Sequence, residues 1–127
     1  MLDVGNLINP KTGNKFIPVA TQKLGNEEQG ALKFADGTMI CFGCSLKTVD
    51  ITAPYENDYF NETGDVIFKE RFINKPAITV TLYCNNALLG YNFNKASNER
   101  FSLYVWKSTQ KSNLSIWVNY IAIGRWK

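Results

Sequence analysis

The sequence predicts an all-β protein built as an antiparallel β-sandwich, and three observations carry that expectation. Residues 114–123 alternate apolar and polar, as a half-buried strand must, because successive side chains point to opposite faces of a sheet. No segment of eleven or more residues shows the i, i+3, i+4, i+7 spacing of an amphipathic helix. Short alternating runs recur along the chain between turn residues, which is the pattern of a sandwich or barrel.

The bulk composition narrows the class. A chain of 127 residues with 45% hydrophobic and 13% aromatic residues is long and apolar enough to fold around one core. The net charge of +3, from 14 basic and 11 acidic residues, is dispersed along the chain, so no nucleic-acid partner is expected. No stretch approaches the roughly 20 apolar residues of a membrane span, and no membrane insertion is expected. The N-terminus shows no basic segment followed by an apolar one, hence no signal peptide, and synthesis in a host cytoplasm is expected. Three cysteines, an odd number, argue against a disulfide framework. Histidine is absent, which removes the commonest general acid–base and the commonest zinc ligand. No cofactor and no catalysis are expected.

Residues 1–29 read as an N-terminal arm or connector and residues 30–127 as the sandwich domain. Asn9, Pro10 and Gly13 supply turn chemistry, and Phe16, Ile17, Pro18 and Val19 form a short edge strand, since Pro18 has no N–H for a central ladder. Residues 31–34 and 38–42 flank Asp36 and Gly37, a hairpin signal. Residues 45–52 alternate weakly and form a third strand. Residues 54–64 are polar with Tyr55, Tyr59 and Phe60 embedded, and read as a long surface loop. Residues 65–68 and 77–83 are strands around a corner at Phe72 and Pro76. Residues 85–98 read as a second polar-aromatic loop with a short hairpin near Leu89 and Gly90. Residues 101–106 and 114–123 then form a last antiparallel pair.

Periodicity assigns the faces. Ile78, Val80 and Leu82 share one side, as do Phe101, Leu103 and Val105, and Leu114, Ile116, Val118 and Tyr120; these are the expected core. The opposite faces carry Tyr83, Tyr104, Trp106 and Trp117 among Ser, Thr and Asn, which is strongly aromatic for a face meant only for water.

Three blocks resemble a known family. Leu32, Phe34, Gly37, Cys41 and Gly43 look like the opening hairpin of domains that cap bacteriophage tail fibres and baseplates. Phe68, Phe72, Pro76, Ile78 and Val80, with the closing Tyr120, Ile121, Ala122, Ile123 and Gly124, resemble the pattern of H-type lectins and their phage relatives. The resemblance covers roughly residues 30–124. It implies an H-type lectin-like sandwich assembled as a homotrimer, located in a virion at a fibre or baseplate tip. It further implies contacts with other tail or baseplate proteins and loops that bind a bacterial cell-surface saccharide. The charged and His residues of the animal lectins' sugar-binding loops have no counterpart here.

The residue types suit such a ligand. Amides donate and accept hydrogen bonds as sugar hydroxyls do, and aromatic rings offer a flat apolar surface to a pyranose. Asn85, Asn86, Tyr91, Asn92, Asn94, Glu99, Arg100 and Trp106 are therefore the expected ligand-binding residues, against the alternative that the Asn residues of this stretch, Asn98 included, only serve turns. Tyr104 and Trp117 are expected at an interface between subunits, where aromatic residues are enriched. Cys41 and Cys44 spell CxxC, but at a strand end their side chains would take different faces, so no redox or metal role is expected. Glu56, Asp58, Glu62, Asp65 and Glu70 surround the first polar loop and are read as solvated acids; a pair in a cleft would instead suit a glycosidase. The expected function is a phage or prophage-derived receptor-binding domain. The alternatives are a trimeric structural adaptor and a surface-glycan-acting enzyme.

Overall fold

Alternating residues become strands over most of the chain in the computed structural model, which describes residues 20–85 and 87–127. In order these are β1 (Ala20–Gly25), β2 (Gln29–Phe34), β3 (Thr38–Ile51), β4 (Ala53–Tyr55), β5 (Asp58–Glu62), β6 (Val66–Ile67), β7 (Ala77–Tyr83), β8 (Gly90–Ala96), β9 (Arg100–Lys107) and β10 (Lys111–Arg125). One sheet runs β1-β2-β3-β10-β7. In the other, β9 carries β5 and β6 along one flank and β8 along the other, with β4 outside β5. Every pairing is antiparallel, and the two sheets close face to face as a β-sandwich.

The core is where periodicity placed it. Phe101, Leu103, Val105, Ile116 and Val118 are fully buried, with Leu114 and Tyr120 nearly so. Val80 is buried, and Ile78 and Leu82 pack against the core from β7, near the sheet edge. The rings of Phe68, Phe72, Phe101 and Tyr120 join the sheets, with centroids 5.2–5.9 Å apart.

Several expectations need correction. Residues 38–42 and 45–52 are not two strands, because β3 runs unbroken for 14 residues and pairs with β10 from Thr38 to Ile51. Within the segment expected as an arm, residues 20–29 hold β1, the turn in which Asn26 Oδ1 accepts the N–H groups of Glu28 and Gln29, and the first residue of β2. Residues 1–19, with the edge strand expected at 16–19, lie outside the described residues. The stretches 54–64 and 85–98 are not mainly loop. The first contains the β4–β5 hairpin and the second contains β8.

The largest correction concerns β9 and β10, which do not pair with each other. Residues 108–110 carry the chain from one sheet to the other, and β10 inserts between β3 and β7. The corner is built by a register shift between Lys111 and Leu114, with Asn113 in the left-handed region at φ 52°. Asp50 holds this corner. Its Oδ1 accepts the Asn113 N–H at 2.7 Å, and its carbonyl accepts the Asn61 side-chain amide at 2.9 Å. The end of β10 is held as well: the indole N–H of Trp126 donates to the Phe34 carbonyl at 2.9 Å, and Arg125 Nη2 donates to the Asp36 carbonyl at 2.6 Å.

Two stability effects follow. Phe72→Ala leaves a void between the sheets and should cost about 3–5 kcal/mol in urea unfolding. Among the described residues the buried Tyr120 hydroxyl has no hydrogen-bond partner, and burial pushes its pKa up to about 12. The unfolded chain ionises this group first, so stability should fall as pH rises from about 10 to about 12. Tyr120→Phe should remove that alkaline fall and leave stability at pH 7 equal or higher, since it deletes an unsatisfied polar group.

Candidate ligand-binding face

Register fixes which side chains share the outer face of the β9 sheet. Tyr104 stands opposite Glu62 on β5 and Asn92 on β8, and Trp106 opposite Phe60 and Gly90. Residues paired across a ladder point the same way, so β4, β5, β8 and β9 all contribute to one surface. The β4–β5 hairpin, whose Glu56 takes a left-handed φ of 52°, adds Tyr55 opposite Asp58. The result is an open trough of about 450 Å³ lined by Tyr55, Glu56, Asp58, Phe60, Tyr104, Trp106 and Asn92.

The aromatic groups are ordered by one another. Tyr55 meets Phe60 edge-on at 5.9 Å, and Phe60 meets Tyr104 edge-on at 5.6 Å. The indole of Trp106 lies over Gly90, where a Cβ would overlap its six-membered ring. The absence of a side chain at Gly90 is thus what lets the indole lie flat on the sheet. Tyr104 and Trp106 remain about 40% exposed, so their ring faces are open to a ligand. These are rings built into strands, which pre-organises them.

The expected ligand residues do not form one cluster. Asn92, Trp106 and Tyr104 come together in the trough, and Asn94 lies beside it, donating to Glu62 Oε2 at 2.9 Å. Tyr91, paired with core-facing Val105, turns the other way and donates its hydroxyl to the Val80 carbonyl at 2.7 Å, tying the two sheets together. Asn85 accepts from the Tyr83 hydroxyl at the end of β7. Glu99 and Arg100 sit at the start of β9, in a network in which Arg71 reaches Glu99 at 2.9 Å and Arg100 reaches Asp65 at 3.2 Å. The hydrogen bond from Arg71 holds the Glu99 carboxyl below the usual carboxylate range, and the one to Asp65 raises Arg100. Asn86 lies outside the described residues.

Tyr104 and Trp117, expected on one interface, occupy outer faces of different sheets. Trp117 stands between Leu46 and Tyr83, and Ile121 between Phe42 and Thr79. With Ile123 they make an apolar outer surface on the β10 sheet, with Leu46, Tyr83, Trp117, Ile121 and Ile123 each about half exposed. Cys41 faces the core and Cys44 this outer face, so the CxxC side chains part as alternation requires. Burial pushes the Cys41 thiol up, away from the thiolate a redox centre uses.

The trough residues missed in the sequence are Tyr55 and Phe60 together with Glu56 and Asp58. The available signal was the spacing of two aromatics around Glu56 and Asn57, a hairpin tip inside a supposed loop.

No protein-family model and no curated protein matches this sequence. Solved structures do share its fold. One is the P. aeruginosa R1 pyocin fibre comprising C-terminal residues 323–701, at TM-score 0.58 and 13% identity over 88% of this chain. The chain spans 29% of that fragment. Another is an N-truncated R1-type pyocin tail fibre, also at TM-score 0.58 and 13% identity, over 90% of each chain. The shared feature is the antiparallel sandwich.

Gly90→Ala should lift the Trp106 indole off the sheet. A shift in tryptophan fluorescence, with a stability loss of about 1–3 kcal/mol from overpacking, is the expected outcome.

Proposed function

We propose that this chain is a receptor-binding domain of a phage or phage-derived tail fibre, which takes a bacterial cell-surface saccharide in the trough. The observation that carries the reading is the row of open rings, Tyr55, Phe60, Tyr104 and Trp106, with the Asn92 amide beside them. Ring faces suit the C–H face of a pyranose and amides suit its hydroxyls. The fold shared with pyocin tail fibres supports placing the domain in a virion or tail assembly, among other tail or baseplate proteins. The role is binding, without a chemical step.

The reading includes a homotrimer. The outer face of the β10 sheet is uncharged from Ile40 to Leu46 on β3 and from Ser115 to Gly124 on β10 along its outward positions, and its centre is Trp117 and Ile121. Such a face suits burial between copies better than contact with water.

The test measures wild type, Trp106→Ala and Asn92→Ala against a glycan array and host cells, at matched oligomeric state. Trp106→Ala should weaken binding at least tenfold with the assembly intact, whereas Ile121→Asp should convert trimer to monomer in light scattering. Unchanged binding by Trp106→Ala would remove the trough as the site. A wild-type assembly that binds no glycan and no cell would leave a structural adaptor as the function.

A further inference from the structure

The carboxylates of the trough bring negative charge, which a neutral sugar does not require. Glu56 and Asp58 flank the β4–β5 tip, and Glu62 stands farther along β5, opposite Tyr104. Among the described residues none of the three has an ion-pair partner, and Glu62 is held only by the Asn94 amide. Elsewhere Asp65, Glu70 and Glu99 each meet an Arg or Lys, while among the described residues Glu27, Glu28, Asp36 and Asp50 also stand without an ion pair but beside no open row of rings.

Among the described residues no Lys or Arg lines the trough. On the same outer face Lys95 stands opposite Ser102, four residues along β9 from Trp106, or about 13 Å at the rise of a strand. Arg100 is two residues farther and already engaged by Asp65 and Glu99. Lys107 follows Trp106 but alternates to the other side, and its Nζ donates to Thr109 at 2.7 Å. An acidic, ring-walled trough therefore stands on a chain whose net charge is +3.

Two physical effects act in the same direction there. The face of an aromatic ring carries negative potential and attracts a cation within about 6 Å of its centroid. Unpaired carboxylates at the rim add Coulomb attraction and repel an anionic ligand. A neutral pyranose uses Glu56 and Asp58 only as acceptors for its hydroxyls, whereas an ammonium group adds charge attraction to the same hydrogen bonds.

We propose that the trough selects an ammonium group on its glycan, with Tyr55, Tyr104 and Trp106 facing the cation and Glu56 and Asp58 balancing its charge. The inference rests on the reading of the trough as a saccharide site and adds the class of saccharide. The ammonium has two possible sources, the protonated amine of an amino sugar or a quaternary ammonium substituent on the glycan.

The test is calorimetric titration of the full chain with a β-1,4-linked glucosamine hexamer, its N-acetylated counterpart and choline. The hexamer with free amines, or choline, should bind at least tenfold tighter than the acetylated hexamer, and less tightly as salt rises. Preference for the amine hexamer would identify the amino sugar as the source, and preference for choline the quaternary substituent. Glu56→Gln with Asp58→Asn should abolish the preference, with circular dichroism unchanged. Equal or tighter binding of the acetylated hexamer, lost in Trp106→Ala, would overturn the cation inference and leave the saccharide reading standing. Binding of none of the three would overturn the inference, and if cell binding also ignored Trp106→Ala the saccharide reading would fall with it.

Discussion

Phe68, Phe72, Phe101 and Tyr120 meet between the two sheets at centroid distances of 5.2–5.9 Å, with Phe93 reaching Phe101 from β8. The rings come from four parts of the chain: Phe68 and Phe72 from the connection before β7, Phe93 from β8, Phe101 from β9 and Tyr120 from β10. Edge-to-face aromatic contacts are worth about 0.5–1.5 kcal/mol each beyond the area they bury. Their larger effect is geometric, because rings of fixed size set how far apart the sheets stand. Gly43 and Gly124 fit this arrangement: a Cβ on Gly43 would come within 2.7 Å of the Tyr120 ring, and one on Gly124 within 2.8 Å of Phe72. Once the inner faces are held by these rings, both outer faces are fixed by alternation alone.

The two outer faces then differ because their strands differ. On the β10 sheet, β3 and β10 pair regularly from Leu114 onward, and their outward positions from Ile40 to Leu46 and from Ser115 to Ile123 present an uncharged, largely apolar surface. On the β9 sheet the strands are short, with β5 and β6 sharing one flank of β9 around Thr63, whose N–H donates to the Leu103 carbonyl and whose hydroxyl accepts the Leu103 N–H. Short strands and tight tips bring Tyr55, Glu56 and Asp58 up to the rim of a concave surface. A long flat ladder suits association, and a broken, concave one suits a small ligand.

The sequence spoke clearly wherever burial was one-sided. The alternation of β7, β9 and β10 placed Val80, Phe101 and Val118 on the inner faces, and β7 runs from Ala77 to Tyr83 as expected. Alternation says which face is inward but not to which sheet a strand belongs. Strands stacked across a core and strands paired in one ladder carry the same pattern, so the sequence could not reveal that β9 and β10 part company. Strand β8 was hidden for another reason. Asn92 and Asn94 alternate with Tyr91 and Phe93 at period two, yet amides also favour turns, and the composition outweighed the period. The trough could not be found without the pairing of β5 with β9, because Phe60 and Trp106 are neighbours only across that ladder.

A site laid on strands trades depth for rigidity. The rings of Tyr104 and Trp106 are set by the pleat of β9 and by Gly90 beneath the indole, so little conformational entropy is lost when a ligand arrives. As the saccharide site proposed above, an open trough of about 450 Å³ would bury only part of a sugar and hold it at about millimolar Kd, near −4 kcal/mol. On the proposed reading the second face resolves this limit. If the uncharged β10 face is buried between copies, each copy still directs its trough outward, because the two faces lie on opposite sides of the same sandwich. Several troughs on one fibre tip could then engage a repeating surface polymer together, and linked engagement raises avidity by about 10²–10⁴ without any new contact. Weak single sites on a rigid multivalent mount would let the domain sample a cell surface reversibly and hold where the ligand is dense. On that reading affinity and assembly are divided between the two faces that one aromatic core keeps apart.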